Sequence, residues 1–228
     1  AGLLAVPLVL FLTSGHALPG GAASGAGTLS QALHGAVRDR SYLLLTAGFF
    51  TCGFHVAFIA VHLPGVVAYC GLPASVGAGS LAIIGLFNMM GSLWMGKRVQ
   101  TARMKIALAW TYAARAALIL AFWLAPKTEL AFFLFAAGIG FTYLSTVPPT
   151  VGLVAKLHGP RYVATLFGLV MLSHQVGAFL GAWLGGKAFE ASGHYDWMWF
   201  ADIALCVFAA LVHLPIREAK VKPAAAAA

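Results

Sequence analysis

The chain has 228 residues, of which 61% are hydrophobic and 9% are charged, and its formal net charge is +8. A soluble globular domain is about 45–50% apolar and about a quarter charged, so this composition excludes a water-soluble domain and predicts an integral membrane protein. In such a protein the positions of the basic residues matter more than their sum, and we expect no nucleic-acid partner.

The first 40 residues contain no complete membrane span. Residues 1–15 supply about thirteen membrane-compatible positions where a span needs about 20, so we interpret them as the remnant of a preceding transmembrane helix and expect the chain to be a fragment. Residues 16–40 are rich in Gly, Ala and Ser and are predicted to be a cytoplasmic linker. Its later part, residues 28–38, could form a short amphipathic helix on the membrane surface.

Six long apolar segments follow and predict a six-helix bundle over residues 41–216, with a cytoplasmic tail over 217–228. Each has roughly 20 or more residues, which is enough to cross about 30 Å of hydrocarbon, and none alternates with the period of a β-barrel strand. The predicted spans are 42–63, 76–96, 104–124, 130–152, 162–186 and 195–215.

The six spans divide into two triplets, and the second span of each triplet is Gly-rich. Both of these spans end in a Gly-Lys pair, at Lys97 and Lys187, on opposite sides of the membrane. This pattern predicts an all-α membrane fold with a 3+3 inverted repeat, although glycines that serve helix packing alone would also produce it.

Eleven basic residues lie on one side of the predicted spans, against Lys127 and Lys187 on the other. By the positive-inside rule, the linker, the second and fourth loops and the tail are cytoplasmic, and the protein is a multi-pass protein of the cell's inner membrane. The second loop is the densest, and we expect its basic residues to fix the topology and to meet anionic membrane lipid. They are Lys97, Arg98, Arg103 and Lys105.

Nothing in the sequence favours an enzyme, a cofactor or a metal site. There is no Gly-Lys-Ser/Thr phosphate-binding loop, which argues against ATP-driven transport from this chain. The three cysteines, Cys52, Cys70 and Cys206, lie in or beside apolar runs and are predicted to be small packing residues.

Three stretches resemble the C-terminal half of bacterial major facilitator superfamily transporters, most closely the branch of monocarboxylate and oxalate/formate carriers. They are "GLPASVGAGSLAIIGLFNMMGS", "RYVATLFGLVMLSHQVGAFLGAWLGGKAFEASGHYDWMW" and "HLPIRE". The resemblance covers about residues 40–218. It implies that the six spans are helices seven to twelve of a twelve-helix carrier, whose N-terminal six-helix half would supply the other wall of the substrate cavity.

The family often carries a Gly-x-x-x-Asp-Arg-like signature in the loop between helices eight and nine. Gly91, Lys97 and Arg98 match it loosely, but the acid is absent. This departure puts in doubt a conformational latch built on that carboxylate.

Two histidines share one face of the first span with Thr51 and Phe58. His55 lies near the bilayer midplane and could bind a carboxylate or carry a coupling proton, because imidazole titrates near neutrality. His62 lies closer to the outer surface. Alternatively, each is a neutral histidine that bonds to a neighbouring helix.

Further polar residues fall near mid-depth, on spans that the resemblance implies line the cavity. Asn88 and Gln175 could contact substrate or only hold helices together. His174 and Gln175 point about 100° apart, so they cannot both face the cavity, and we favour His174. The mid-depth candidates for substrate or proton are Asn88, Tyr143, His174 and Gln175.

Arg115 lies about ten residues into the third span and keeps its charge. It could bind a carboxylate substrate through a bidentate contact. Because the resemblance implies that this helix is peripheral, a structural partner is equally plausible, either a backbone carbonyl at a broken helix or an acid. Asp202 is the only intramembrane acid and is expected nearer the outer face.

Glycines and prolines predict packing and bending. Gly177, Gly181 and Gly185 are spaced four apart, which lets a neighbouring backbone approach closely. Pro148 and Pro149 interrupt the fourth span near its cytoplasmic end and predict a gating bend.

The leading hypothesis is a secondary active transporter that moves a small organic solute by alternating access. An organic anion is one candidate for the solute, and coupling to a proton is left open. One alternative is a non-transporting six-helix scaffold or sensor, whose polar residues only pack helices. Another is a half-size carrier that acts as a homodimer.

Overall fold

The computed structural model describes residues 28–218, which form α-helices and contain no β-strand. The helices are α1 Leu29–Arg38, α2 Arg40–Tyr69, α3 Ala74–Arg98, α4 Met104–Leu124, α5 Glu129–Thr142, α6 Val147–His158, α7 Val163–Ser192 and α8 Asp196–His213. With α5 and α6 taken as one interrupted helix, six are long and apolar enough to cross a membrane. The predicted all-α six-helix membrane fold is confirmed.

Local sequence signals explain where these helices begin and end. Thr28 and Gln31 form a capping box that starts α1, within the segment where a short helix was predicted. Asp39 accepts a hydrogen bond from the Ser41 N–H and starts α2. Gly193, with φ +72°, closes α7 in the left-handed conformation that glycine adopts most easily. The predicted helix remnant at residues 1–15 lies outside the described residues.

The helix pairing follows the symmetry that the 3+3 repeat predicts. The most extensive packing joins α2 to α7, α3 to α5, and α4 to α8. If the first triplet is exchanged with the second, so that spans one, two and three become four, five and six, this set of pairs is unchanged. Two apolar clusters fill the interior. One is rich in Phe and Trp and includes Phe58 and Trp199; the other includes Leu45 and Leu166.

The fourth span is interrupted near its middle. The span runs from Glu129 to His158, and its helix breaks between Thr142 and Val147. Pro148 and Pro149 are the second and third residues of α6, where a missing N–H costs least. The predicted interruption is present, but its predicted place near the end of the span is wrong, because the helix continues to His158.

Basic residues lie at one end of the bundle, the basic end, where α3 and α6 finish and α2 and α4 begin. Arg40, Lys97, Arg103 and Lys156 lie there. At the opposite end, α2 is longer than predicted and reaches Tyr69, because Pro64 stays within the helix.

Candidate functional site

A buried hydrogen-bonding partner for His55 comes from the last span. His55 Nδ1 lies 2.7 Å from Asp202 Oδ2, and both side chains are fully buried. His55 is the sixteenth of the thirty residues of α2, so the pair lies at about half the length of that helix. Asp202 was expected nearer the outer face. It lies level with His55 because Tyr195, seven residues before Asp202, packs beside His62, seven residues beyond His55, with ring centres 5.6 Å apart.

The pair leaves one imidazole nitrogen available. His55 Nε2 is buried and has no hydrogen-bond partner in the described part of the chain. Near it, the Tyr143 ring is 6.1 Å from the His55 ring. A buried carboxylate that accepts a hydrogen bond from an imidazole can stabilise the protonated ring, and loss of that proton leaves a neutral base. The site is therefore suited to holding and releasing one proton.

Cys206 adds a third potential metal ligand. Ligand atoms of His55, Asp202 and Cys206 all lie within 4.8 Å of one another, a grouping that spacing along the sequence did not predict. The 2.7 Å separation between His55 and Asp202 is a hydrogen-bond distance. Ligands about 2 Å from a tetrahedral metal stand farther apart than this, so the observed geometry fits a shared proton better than a metal ion.

Arg115 bonds to the backbone carbonyls at the break in the fourth span. Its Nη2 donates hydrogen bonds to the carbonyl oxygens of Thr142, at 2.5 Å, and Tyr143, at 3.1 Å. These carbonyls have lost the helical partners that an uninterrupted helix would give them. Arg115 is fully buried, so the contact also satisfies part of a charge that would otherwise be costly inside a membrane.

Two further hydrogen bonds, made by Asn88 and Tyr143, connect the same break to α3 and α2. Asn88 Oδ1 accepts a hydrogen bond from the Leu144 N–H at 3.1 Å. Tyr143 donates its hydroxyl to the Val56 carbonyl at 2.6 Å, one residue beyond His55. The break is thus tied to the helix that carries His55.

Arg115 keeps unused donors. Its Nε and Nη1 are buried and have no hydrogen-bond partner within residues 28–218. The Tyr112 ring lies 5.1 Å from the guanidinium carbon, a cation–π distance. Arg115 thus bonds to backbone carbonyls at a broken helix, which is one of the structural roles that the sequence left open. Its remaining donors could bind an anion.

The other predicted polar residues make separate contacts. His62 Nε2 lies 2.8 Å from the Ala182 carbonyl oxygen. His174 is buried beside Phe49, with its Nδ1 3.2 Å from Gln175 Oε1, and Gln175 itself is exposed. One is therefore buried and the other exposed, although their polar ends lie within hydrogen-bond distance of each other.

The predicted glycine face of α7 lies against α2. A Cβ atom on Gly177 or Gly181 would collide with backbone atoms of Phe50 and Phe54, and one on Gly185 would collide with the His62 ring. Only glycine permits this approach of the two helices.

Glu218 supplies a carboxylate to the basic end, and sequence reasoning missed it. It accepts hydrogen bonds from the N–H groups of Met104, at 3.0 Å, and Lys105, at 2.9 Å, and pairs with Lys156 Nζ at 3.0 Å. The Lys105 ammonium donates to the carbonyls of Leu214 and Ile216. The C-terminal segment thus supplies an acid beside the loop between α3 and α4, which lacks the acid of the Gly-x-x-x-Asp-Arg-like signature. The sequence signal for this contact was that Glu218 is the one acid after the last span.

No protein-family model matches the chain. The chain is similar to an uncharacterized MFS-type transporter, YcxA, of Bacillus subtilis (strain 168), with 23% identity over 178 residues. The match covers 75% of the chain and 41% of the relative, so the chain spans about two fifths of that protein's length. The six apolar helices and this similarity agree on a multi-pass membrane protein.

Proposed function

We propose that the chain is the C-terminal six-helix half of a proton-coupled secondary transporter of the major facilitator superfamily, related to monocarboxylate and oxalate/formate carriers. It moves a small organic anion by alternating access, together with an N-terminal six-helix half. The basic end faces the cytoplasm at the inner membrane. The transporter relative and the one-sided basic residues support this proposal.

The buried pair of His55 and Asp202 carries the proposal. A scaffold gains little from a buried ionisable pair, because apolar residues of similar size would be at least as stable. A transporter that couples to protons needs such a group at mid-depth. The free Nε2 of His55 is the atom that takes up and releases the proton.

The break in the fourth span gives the proton site a mechanical connection. Tyr143 lies in the break, bonds to α2 beside His55, and receives at its carbonyl a hydrogen bond from Arg115. A solute carboxylate that binds Arg115 side-on, through the unused Nε and through Nη2, competes with that carbonyl for Nη2. Solute binding and bending of the span are then coupled at one residue.

The test is uptake of organic anions into vesicles that contain the full-length protein, driven by an imposed pH gradient. We expect His55→Gln and Asp202→Asn each to reduce gradient-driven uptake by at least about tenfold, because neither variant keeps the shared proton. Exchange of labelled solute without a gradient should persist, since alternating access itself is retained.

His62→Gln is the matched control, because His62 lies on the same helix face and bonds to a backbone carbonyl to which glutamine can also donate. It should transport normally. Gradient-driven uptake by the Asp202→Asn variant at the normal rate would contradict the proton role. Absence of any solute movement by the unaltered protein would favour the scaffold, and activity of this chain alone as a dimer would favour the half-size carrier.

A further inference from the structure

A deep groove opens between α3 and α4 at the basic end of the bundle. It has a volume of about 550 Å³ and is lined mainly by apolar side chains. Its lining includes Trp94 of α3, Ile106 and Trp110 of α4, and Phe141 of α5. The groove is independent of the buried His55 and Asp202 pair.

Two arginines stand at the mouth of this groove. Arg98 is the last residue of α3, Arg103 immediately precedes α4, and both belong to the lining. No carboxylate forms an ion pair with either of them across residues 28–218. Arg103 Nη2 donates to the Glu218 carbonyl, whereas its buried Nε has no partner. The mouth therefore combines two positive charges with an unused donor.

The dimensions suit one leaflet of a membrane. The lining on α4 runs from Arg103 to Ala114, which at 1.5 Å per residue is about 16 Å, or about half of the hydrocarbon thickness. Trp94 and Trp110 are 51% and 73% exposed, so both rings are accessible to a lipid in that leaflet. A positive mouth above an apolar groove of this length matches a lipid headgroup above its acyl chain.

We propose that the groove binds one anionic phospholipid, with its phosphate between Arg98 and Arg103 and an acyl chain along α4. Charge complementarity favours this occupant over the undescribed parts of the chain. Residues 1–27 and 219–228 contain no Asp or Glu, and the latter carry Lys220 and Lys222. A zwitterionic or neutral lipid would leave the two arginines without a net negative partner.

The headgroup contact is tested by native mass spectrometry of the full-length protein titrated with phosphatidylglycerol and, separately, phosphatidylcholine. We expect preference for phosphatidylglycerol and about thirtyfold weaker binding of it by the double variant Arg98→Gln/Arg103→Gln. The double variant Arg38→Gln/Arg161→Gln is the matched control, because it removes the same charge from two exposed arginines outside the groove lining. If Arg98→Gln/Arg103→Gln binds phosphatidylglycerol as the control does, the proposal is wrong.

The acyl-chain contact is tested without changing charge. Ala107 and Ala114 line the groove, whereas Ala117 is exposed on the same helix outside it. We expect Ala107→Phe and Ala114→Phe to weaken phosphatidylglycerol binding about tenfold, the effect of about two methylene groups displaced from the groove. Ala117→Phe should have no effect. Equal binding by all three variants, or binding of inorganic phosphate as tight as that of the lipid, would overturn the proposal.

Discussion

His55 and Asp202 depend on each other because both side chains are fully buried. Removal of one partner leaves the other as an unpaired polar or charged group in a low-dielectric interior, which is costly. Replacement of both side chains by apolar ones leaves no unpaired polar group from this pair, so it does not carry this cost. Stability and transport are therefore expected to respond differently to single and double substitution at this pair.

We predict that His55→Leu lowers the free energy of unfolding by about 3–5 kcal/mol, because Asp202 then keeps only the weak Cys206 thiol donor at 3.8 Å. The double variant His55→Leu/Asp202→Leu should recover most of this loss but should not show proton-driven uptake. Thermal denaturation in detergent measures the first effect, and vesicle uptake measures the second. Additive losses from the two substitutions would show that the residues do not interact energetically.

Single residues also show how far sequence reasoning reaches. The helical face of α2 was enough to predict His55 as a candidate, because polar residues inside a span are rare. Its partner was not predictable, since Asp202 lies 147 positions away and its depth depends on where α8 begins. For Arg115, the sequence left a carbonyl, an acid and a substrate open, and only the fold places the Thr142 carbonyl within reach.

At the scale of helices, the face of α7 that carries Gly177, Gly181 and Gly185 sets its distance from α2. We predict that Gly181→Ala lowers the free energy of unfolding by about 1–3 kcal/mol, because the new methyl group collides with the Phe54 backbone. Thermal denaturation of the purified protein measures this effect.

Gly168→Ala provides the control on the same helix, because a Cβ at Gly168 meets no atom within 4 Å. It should be neutral or stabilise the protein by up to about 1 kcal/mol, since alanine favours helix more than glycine does. Equal losses from both substitutions would mean that α7 does not depend on close packing against α2.

The break in the fourth span shows what a helix alone does not determine. Pro148 and Pro149 predict an interruption, but they sit within the first turn of α6, and the irregular residues precede them. Asn88 from α3 and Arg115 from α4 satisfy the freed backbone groups. The place of the break therefore depends on residues of other helices, which the local sequence does not reveal.

At the scale of the whole molecule, the number of spans was predictable because hydrophobic length is a strong local signal. The symmetric pairing of the helices agrees with the repeat that the Gly-rich spans predicted. Contacts that join distant ends of the chain were not predictable, and the C-terminal segment is the clearest case. It binds the start of α4, the end of α6 and, through the Arg217 N–H, Ser41 near the start of α2.

Glu218 holds this junction, since its side chain is fully buried and bonds to two N–H groups and one ammonium. We predict that Glu218→Gln lowers the free energy of unfolding by about 2–3 kcal/mol, because glutamine loses the charge and one acceptor. The matched control is Glu190→Gln, which removes a carboxylate from an exposed pair with Lys187 and should change stability little. Hydrogen exchange should locate the loss at the start of α4. A uniform loss of protection throughout the bundle, or equal effects of the two variants, would contradict a local junction at Glu218.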